Sequence, residues 1–216
     1  MAARPKQAEP RPAPRLCLVT PPVADASAFS APLAAALTAG DIAAVLLRLA
    51  PADERTQINR VKTLAPLAQD KGAALLIGGH TDLVARGGAD GTHVAGMTAF
   101  REALERLKPE RIIGVGGLMT RHDAMVAAES GADYVMFGAP DDSGARPAFA
   151  AIEERVAWWA ELFEIPCVGY AASLDEVAPL VAAGADFVAL GDWLWPDAPG
   201  IIVRAAEHLR LPESAA

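Results

Sequence analysis

The chain has 216 residues, with 19 Lys and Arg against 27 Asp and Glu and a formal net charge of −8. That balance leaves no basic stripe to neutralise a nucleic-acid backbone or an anionic lipid surface, so neither is an expected partner. No apolar run approaches the roughly 18 residues of a membrane span, and the Pro/Ala-rich start lacks the apolar core of a signal peptide, so a cytoplasmic protein is expected.

Residues 1–14 read as a disordered tail, 15–210 as one folded domain and 211–216 as a flexible end. The first strand-like run, Arg15 to Thr20, is followed by helical spacing from Phe29 to Ala39. In the second, Ala43 to Leu49, period-2 alternation puts Leu46, Arg48 and Ala50 on one face. A charge flanked by leucines near a strand end needs a partner or an anion, which makes Arg48 a candidate site residue. The alternative is an arginine exposed to solvent or paired with a helix carboxylate.

A helical stretch, Glu54 to Lys71, leads into Ala73 to Ile77, which ends in Gly78-Gly79-His80 with open space and backbone N–H groups but no carboxylate. After a short helix, Thr81 to Arg86, the fourth run, Asp90 to Val94, carries His93 on the face opposite Thr92 and Val94. His93 is a candidate proton carrier, against the alternative of a satisfied core histidine. Strands follow at Arg111 to Val115, Asp133 to Phe137, Pro166 to Tyr170 and Asp186 to Leu190, with helices Phe100 to Leu107, Arg121 to Ser130, Phe149 to Phe163, Leu174 to Ala183 and Ile201 to Leu209. The triplet Gly-Ala-Asp recurs at 88–90, 131–133 and 184–186, each time between a helix and a strand. A glycine just past a helix can take the left-handed conformation that ends it.

Eight strands, each followed by a helix, predict an α/β fold, a (β/α)8 TIM barrel in a single domain, because right-handed crossovers of this length wind parallel strands round a closed core. The competing arrangement is an open doubly wound sheet. A barrel must pair its last strand with its first, and LCLVT and FVALG both read as buried, whereas open edges more often carry charge or proline. The active site is then expected at the carboxyl ends of the strands. Asp192 would cap the segment after the eighth strand, and Asp141 and Asp142 read as an acidic surface loop, with a metal site as the alternative. Trp193 and Trp195 suit a cover over the mouth or an apolar pocket, and Trp158 and Trp159 suit packing against the barrel or against a second subunit in a homodimer. Cys17 and Cys167 fall in non-adjacent buried strands and are expected as thiols.

LCLVT, ALLIGGHTDL, GADGTHVAG, IIGVGG, GADYVMFGAP, IPCVGY and GADFVAL together resemble the thiamine phosphate synthase and thiazole tautomerase family, over nearly all of Arg15 to Leu190. The resemblance implies a barrel that couples a pyrimidine methyl diphosphate to a thiazole phosphate with Mg²⁺, expelling pyrophosphate by way of a pyrimidine carbocation. It carries over to this chain unevenly. Of the family's Gln-x-Arg-x-Lys in the second strand only Arg48 remains, between Leu46 and Ala50. Gly78-Gly79 stands where the family has Asn-Asp, and Ala99 where it has a second metal-binding aspartate, so no metal ligand or cofactor is expected here. His93 matches the family's histidine. Gly116 replaces a serine, Arg146 lies near the position of a lysine, Ala171-Ala172 replaces a phosphate-binding Gly-Gly, and Asp192 a serine.

The expected ligand is a small anionic or heterocyclic metabolite, and Arg48 and His93 are the expected catalytic residues. Three functions stay open: a synthase-like enzyme with weak or lost Mg²⁺-dependent coupling, a metal-independent tautomerase-like isomerase in which His93 moves a proton and Arg48 anchors an anion, and a non-catalytic binding or regulatory barrel.

Overall fold

The computed structural model describes residues 12–209; the rest of the amino-terminal stretch read as a tail, and the carboxyl-terminal end, lie outside the described residues. Eight parallel strands close on themselves in chain order: β1 (Arg15–Val19), β2 (Ile42–Leu47), β3 (Ala74–Gly78), β4 (Gly91–Ala95), β5 (Ile112–Gly116), β6 (Tyr134–Phe137), β7 (Cys167–Ala171) and β8 (Phe187–Leu190). The closure expected between first and last strands is present, with Cys17 paired to Ala189 and Leu18 to Leu190. Each observed strand lies within two residues of its predicted bounds.

Helices α1 (Ala26–Ala39), α2 (Glu54–Gln69), α3 (Val84–Gly87), α4 (Gly96–Leu107), α5 (Arg121–Glu129), α6 (Phe149–Leu162), α7 (Val177–Ala182) and α8 (Ala198–His208) form the outer ring. Two segments predicted as single helices open instead as 3-10 turns, Thr81–Leu83 before α3 and Leu174–Glu176 before α7. A further 3-10 turn, Asp192–Asp197, occupies a Trp/Pro-rich stretch that carries no helical periodicity. Helix starts are fixed by side chains where the sequence supplies them: the Asp53 carboxylate accepts from Thr56 N–H, and Thr120 with Asp123 forms a reciprocal capping box at α5.

Alternation along the strands sorts the core into two. Outward residues such as Leu18, Val45, Leu75, Ile113 and Val188 pack under the helices. Inward residues, among them Val19, Leu46, Leu76, Met136, Val168 and Tyr170, fill the barrel. The Gly-Ala-Asp triplets sit at the amino ends of β4, β6 and β8. In each, the glycine has a positive φ (78°, 105° and 93°), which L side chains rarely adopt. The alanine N–H then reaches back to the helix (Ala89 to Val84, Ala132 to Ala127, Ala185 to Leu180) and buries its methyl group.

The aspartate completes the motif. Asp90, Asp133 and Asp186 accept the backbone N–H of Leu75, Ile113 and Cys167, at 2.7, 2.7 and 2.8 Å, tying each strand start to the one before it. Between β1 and β2 the same position is served by Arg15, which grips Asp41 with two hydrogen bonds of 2.9 and 2.6 Å. Lys108 also pairs with Asp133. The triplets are thus structural and lie opposite the carboxyl mouth.

Candidate active site

The carboxyl mouth is built from the strand ends. Arg48 follows β2 directly, its backbone N–H donating 2.9 Å to Thr20 Oγ1, and its side-chain stem lies against Gly78. Its guanidinium faces Asp192 at 3.7 Å, with both side chains partly exposed. The turn has Gly191 as its N-cap and Asp192 as its first residue, so the expectation of Asp192 as the cap is corrected: its carboxylate is the partner of Arg48.

Arg146 and Glu176 form a more enclosed pair that the sequence reading did not single out. Arg146 Nη1 lies 2.9 Å from Glu176 Oε2, and both side chains are only 18% exposed. Glu176 Oε2 also accepts the backbone N–H of Ala172 at 2.7 Å. A carboxylate therefore sits in the grip of a guanidinium and a main-chain amide just after β7. Arg146 Nη2 donates to the Tyr170 carbonyl at 3.4 Å, while its buried Nε has no hydrogen-bond partner among the described residues. Tyr170, inside the barrel beneath this pair, has its hydroxyl pKa raised by burial and by the nearby Asp192, with Arg48 and Arg146 pulling the other way.

His93 points inward from β4, one strand from Gly78. Its Nδ1 is 3.0 Å from the Tyr134 hydroxyl, and the two rings stack at 5.6 Å. Burial lowers its pKa to about 4, so the imidazole is neutral at pH 7. Its Nε2 packs beside Gly116, where a Cβ would come within 2.9 Å, so the ring occupies space that a side chain at that position would need. Tyr134 reaches His93 across Gly114, where any Cβ would collide with the tyrosine ring. Arg48 and His93 thus flank Gly78 but have different partners.

The indole N–H groups of Trp193 and Trp195 donate to the carbonyls of Ala171 and Val19, each at 2.8 Å, pinning the Asp192–Asp197 turn over the ends of β7, β8 and β1. Trp159 is fully buried and Trp158 packs beside it, with Arg121 over its ring. Asp141 is spent on its own loop, accepting from Ser143 and Ala145. Among the described residues no three His, Cys, Asp or Glu side chains cluster, and Gly78, Gly79 and Ala99 carry no side-chain oxygen. Those three positions do not supply the carboxylates that the resemblance implies for Mg²⁺.

Residues 16–193 match the thiamine monophosphate synthase family. A thiamine-phosphate synthase of Rhodospirillum centenum is 45% identical over 200 residues, covering 91% of this chain and 97% of that protein. One from Hyphomonas neptunium is 37% identical over 212 residues, covering 94% and 96%. Among solved structures, a thiamine phosphate pyrophosphorylase from Pyrococcus furiosus superposes with a TM-score of 0.75 at 20% identity, over 90% of this chain and 95% of that one, and shares the barrel.

Proposed function

The chain belongs to the thiamine monophosphate synthase family, and from that premise we propose that it binds a pyrimidine methyl diphosphate and a thiazole phosphate at its carboxyl mouth, as a thiamine phosphate synthase-like barrel. The observation that carries this reading is the grip on Glu176. Guanidinium and amide donors converge there on a carboxylate, an arrangement equally suited to phosphate oxygens. Arg48, on the opposite rim beside Asp192, supplies a second cationic contact.

Positive charge at this mouth comes from arginine, with no carboxylate pair to seat a bridging cation. Guanidinium groups neutralise a departing pyrophosphate less completely than a metal held across its oxygens, so the Mg²⁺-dependent coupling is weak on this reading. Purified protein given pyrimidine diphosphate and thiazole phosphate is expected to bind both by calorimetry and to turn over well below about 1 s⁻¹. Mg²⁺-dependent turnover in the ordinary enzyme range of roughly 1 to 10³ s⁻¹ overturns the weak-coupling reading.

A neutral His93 imidazole facing into the barrel beside Gly78 supports a second reading, metal-independent isomerisation of a thiazole, in which His93 moves the proton and Arg48 holds the phosphate. A conjugate acid with a pKa of about 4 makes a weak base at neutral pH, so this reading ranks second. Full isomerase activity in His93→Ala would remove His93 from it.

A further inference from the structure

The amino end of the barrel, opposite the mouth, contains a cavity of about 300 Å³. Its walls include Cys17, Ala44, Leu46, Leu76, Met136 and Val168, all inward-facing strand residues. Barrels of this fold normally fill their interior with layers of side chains. Two features leave this layer incomplete. Ala44 and Ala74 are too short to reach the axis, and Tyr134, which starts in the lowest layer, leans across Gly114 to meet His93 and so vacates space below.

The charges near the opening are already committed. Arg15 is held by Asp41, and Asp133 by Lys108 and Ile113 N–H. Tyr134 has its hydroxyl engaged with His93. Burial also pushes the Cys17 thiol up to about 12, keeping it protonated and uncharged. Among the described residues no unspent charge faces the space, which disfavours an anionic or cationic occupant.

We propose that this amino-end cavity is a second binding site, separate from the mouth, for an uncharged apolar molecule about the size of a bicyclic aromatic. The size follows by comparison: an apolar cavity of roughly 150 Å³ accepts benzene, and this one is about twice that volume. Occupancy places the ligand against Tyr134, the residue that holds His93 Nδ1, so the two ends of the barrel share one side chain.

The test uses the full chain labelled with ¹³C-methyl methionine and titrated with indole. Met136 lines the cavity, whereas Met119 is 82% exposed beyond the carboxyl end of β5. Indole is expected to shift Met136 saturably, with a Kd of roughly 1 mM or tighter, and to leave Met119 in place. Ala74→Leu, which fills the cavity from β3, should weaken binding at least tenfold; Ala44→Val serves the same purpose from β2 if the leucine variant fails to fold. Absence of saturation at Met136, equal affinity in the folded filling variants, or a shift confined to Met119 overturns the proposal.

Discussion

Glu176 makes the contacts that a phosphate oxygen would make, and an incoming anion has to displace it or share its donors. Glu176→Gln keeps the size of the side chain and removes its charge. Inorganic pyrophosphate is expected to bind this variant roughly tenfold more tightly, about 1.4 kcal/mol, and Arg146→Ala more weakly than the parent. Calorimetry decides it, and unchanged affinity in Glu176→Gln would mean that the carboxylate does not compete. His93 gives a pH signature. Its pKa falls from 6.5 to about 4 on folding, so between those values the unfolded chain binds a proton that the native one refuses. Its contribution is complete above pH 6.5 and is lost as pH falls toward 4, by at most about 1.4 kcal/mol per pH unit. The melting temperature of His93→Gln should therefore fall less steeply across that window than that of the parent; parallel curves would refute the assignment. Arg48 and His93 were legible because a strand's alternation reveals which polar residues face inward. The Arg146–Glu176 pair was not, since it joins a loop to a 3-10 turn 30 residues away and no periodicity links them. The signal for Tyr134 lay on the neighbouring strand, where alternate glycines at Gly114 and Gly116 leave room for large side chains.

Strands read well because each is a short apolar run bounded by turn chemistry, and the closed sheet demands just that pattern. Helices read less well at their starts. Thr81–Leu83 and Leu174–Glu176 run straight into α3 and α7 as the tighter 3-10 turns that commonly open short helices, and Asp192–Asp197 is held by indole hydrogen bonds instead of an apolar stripe. The strand-start aspartates invite a direct measurement. Asp186→Ala leaves the Cys167 N–H without its carboxylate and should cost about 1–3 kcal/mol in denaturant unfolding. Asp133→Ala should cost more, because Lys108 loses its partner as well. Equal stability of both variants and the parent would show that water replaces the carboxylate without loss.

At the scale of the whole molecule, one scaffold places polar chemistry at one end and structural hydrogen bonds at the other, and the family's motifs divide along the same line. The apolar strand runs carry the resemblance, while the mouth carries Gly78-Gly79 and Ala99 where metal-binding side chains would be expected from it. Metal removal should therefore be silent: EDTA is expected to leave pyrophosphate affinity and any residual turnover unchanged. A loss of either on chelation, restored by Mg²⁺, would contradict the arginine-based mouth.

The ties at the amino ends have a consequence for assembly. They join β1 to β2, β3 to β4, β5 to β6 and β7 to β8, adding a second link to every other strand pair of a continuous sheet. A break in the chain between Leu107 and Lys108 leaves both partners of every tie on the same fragment. A break after Gly87 parts Leu75 from Asp90. Co-expressed halves cut at the first position should find each other and co-purify as a closed barrel more readily than those cut at the second, making the molecule a natural candidate for a split protein.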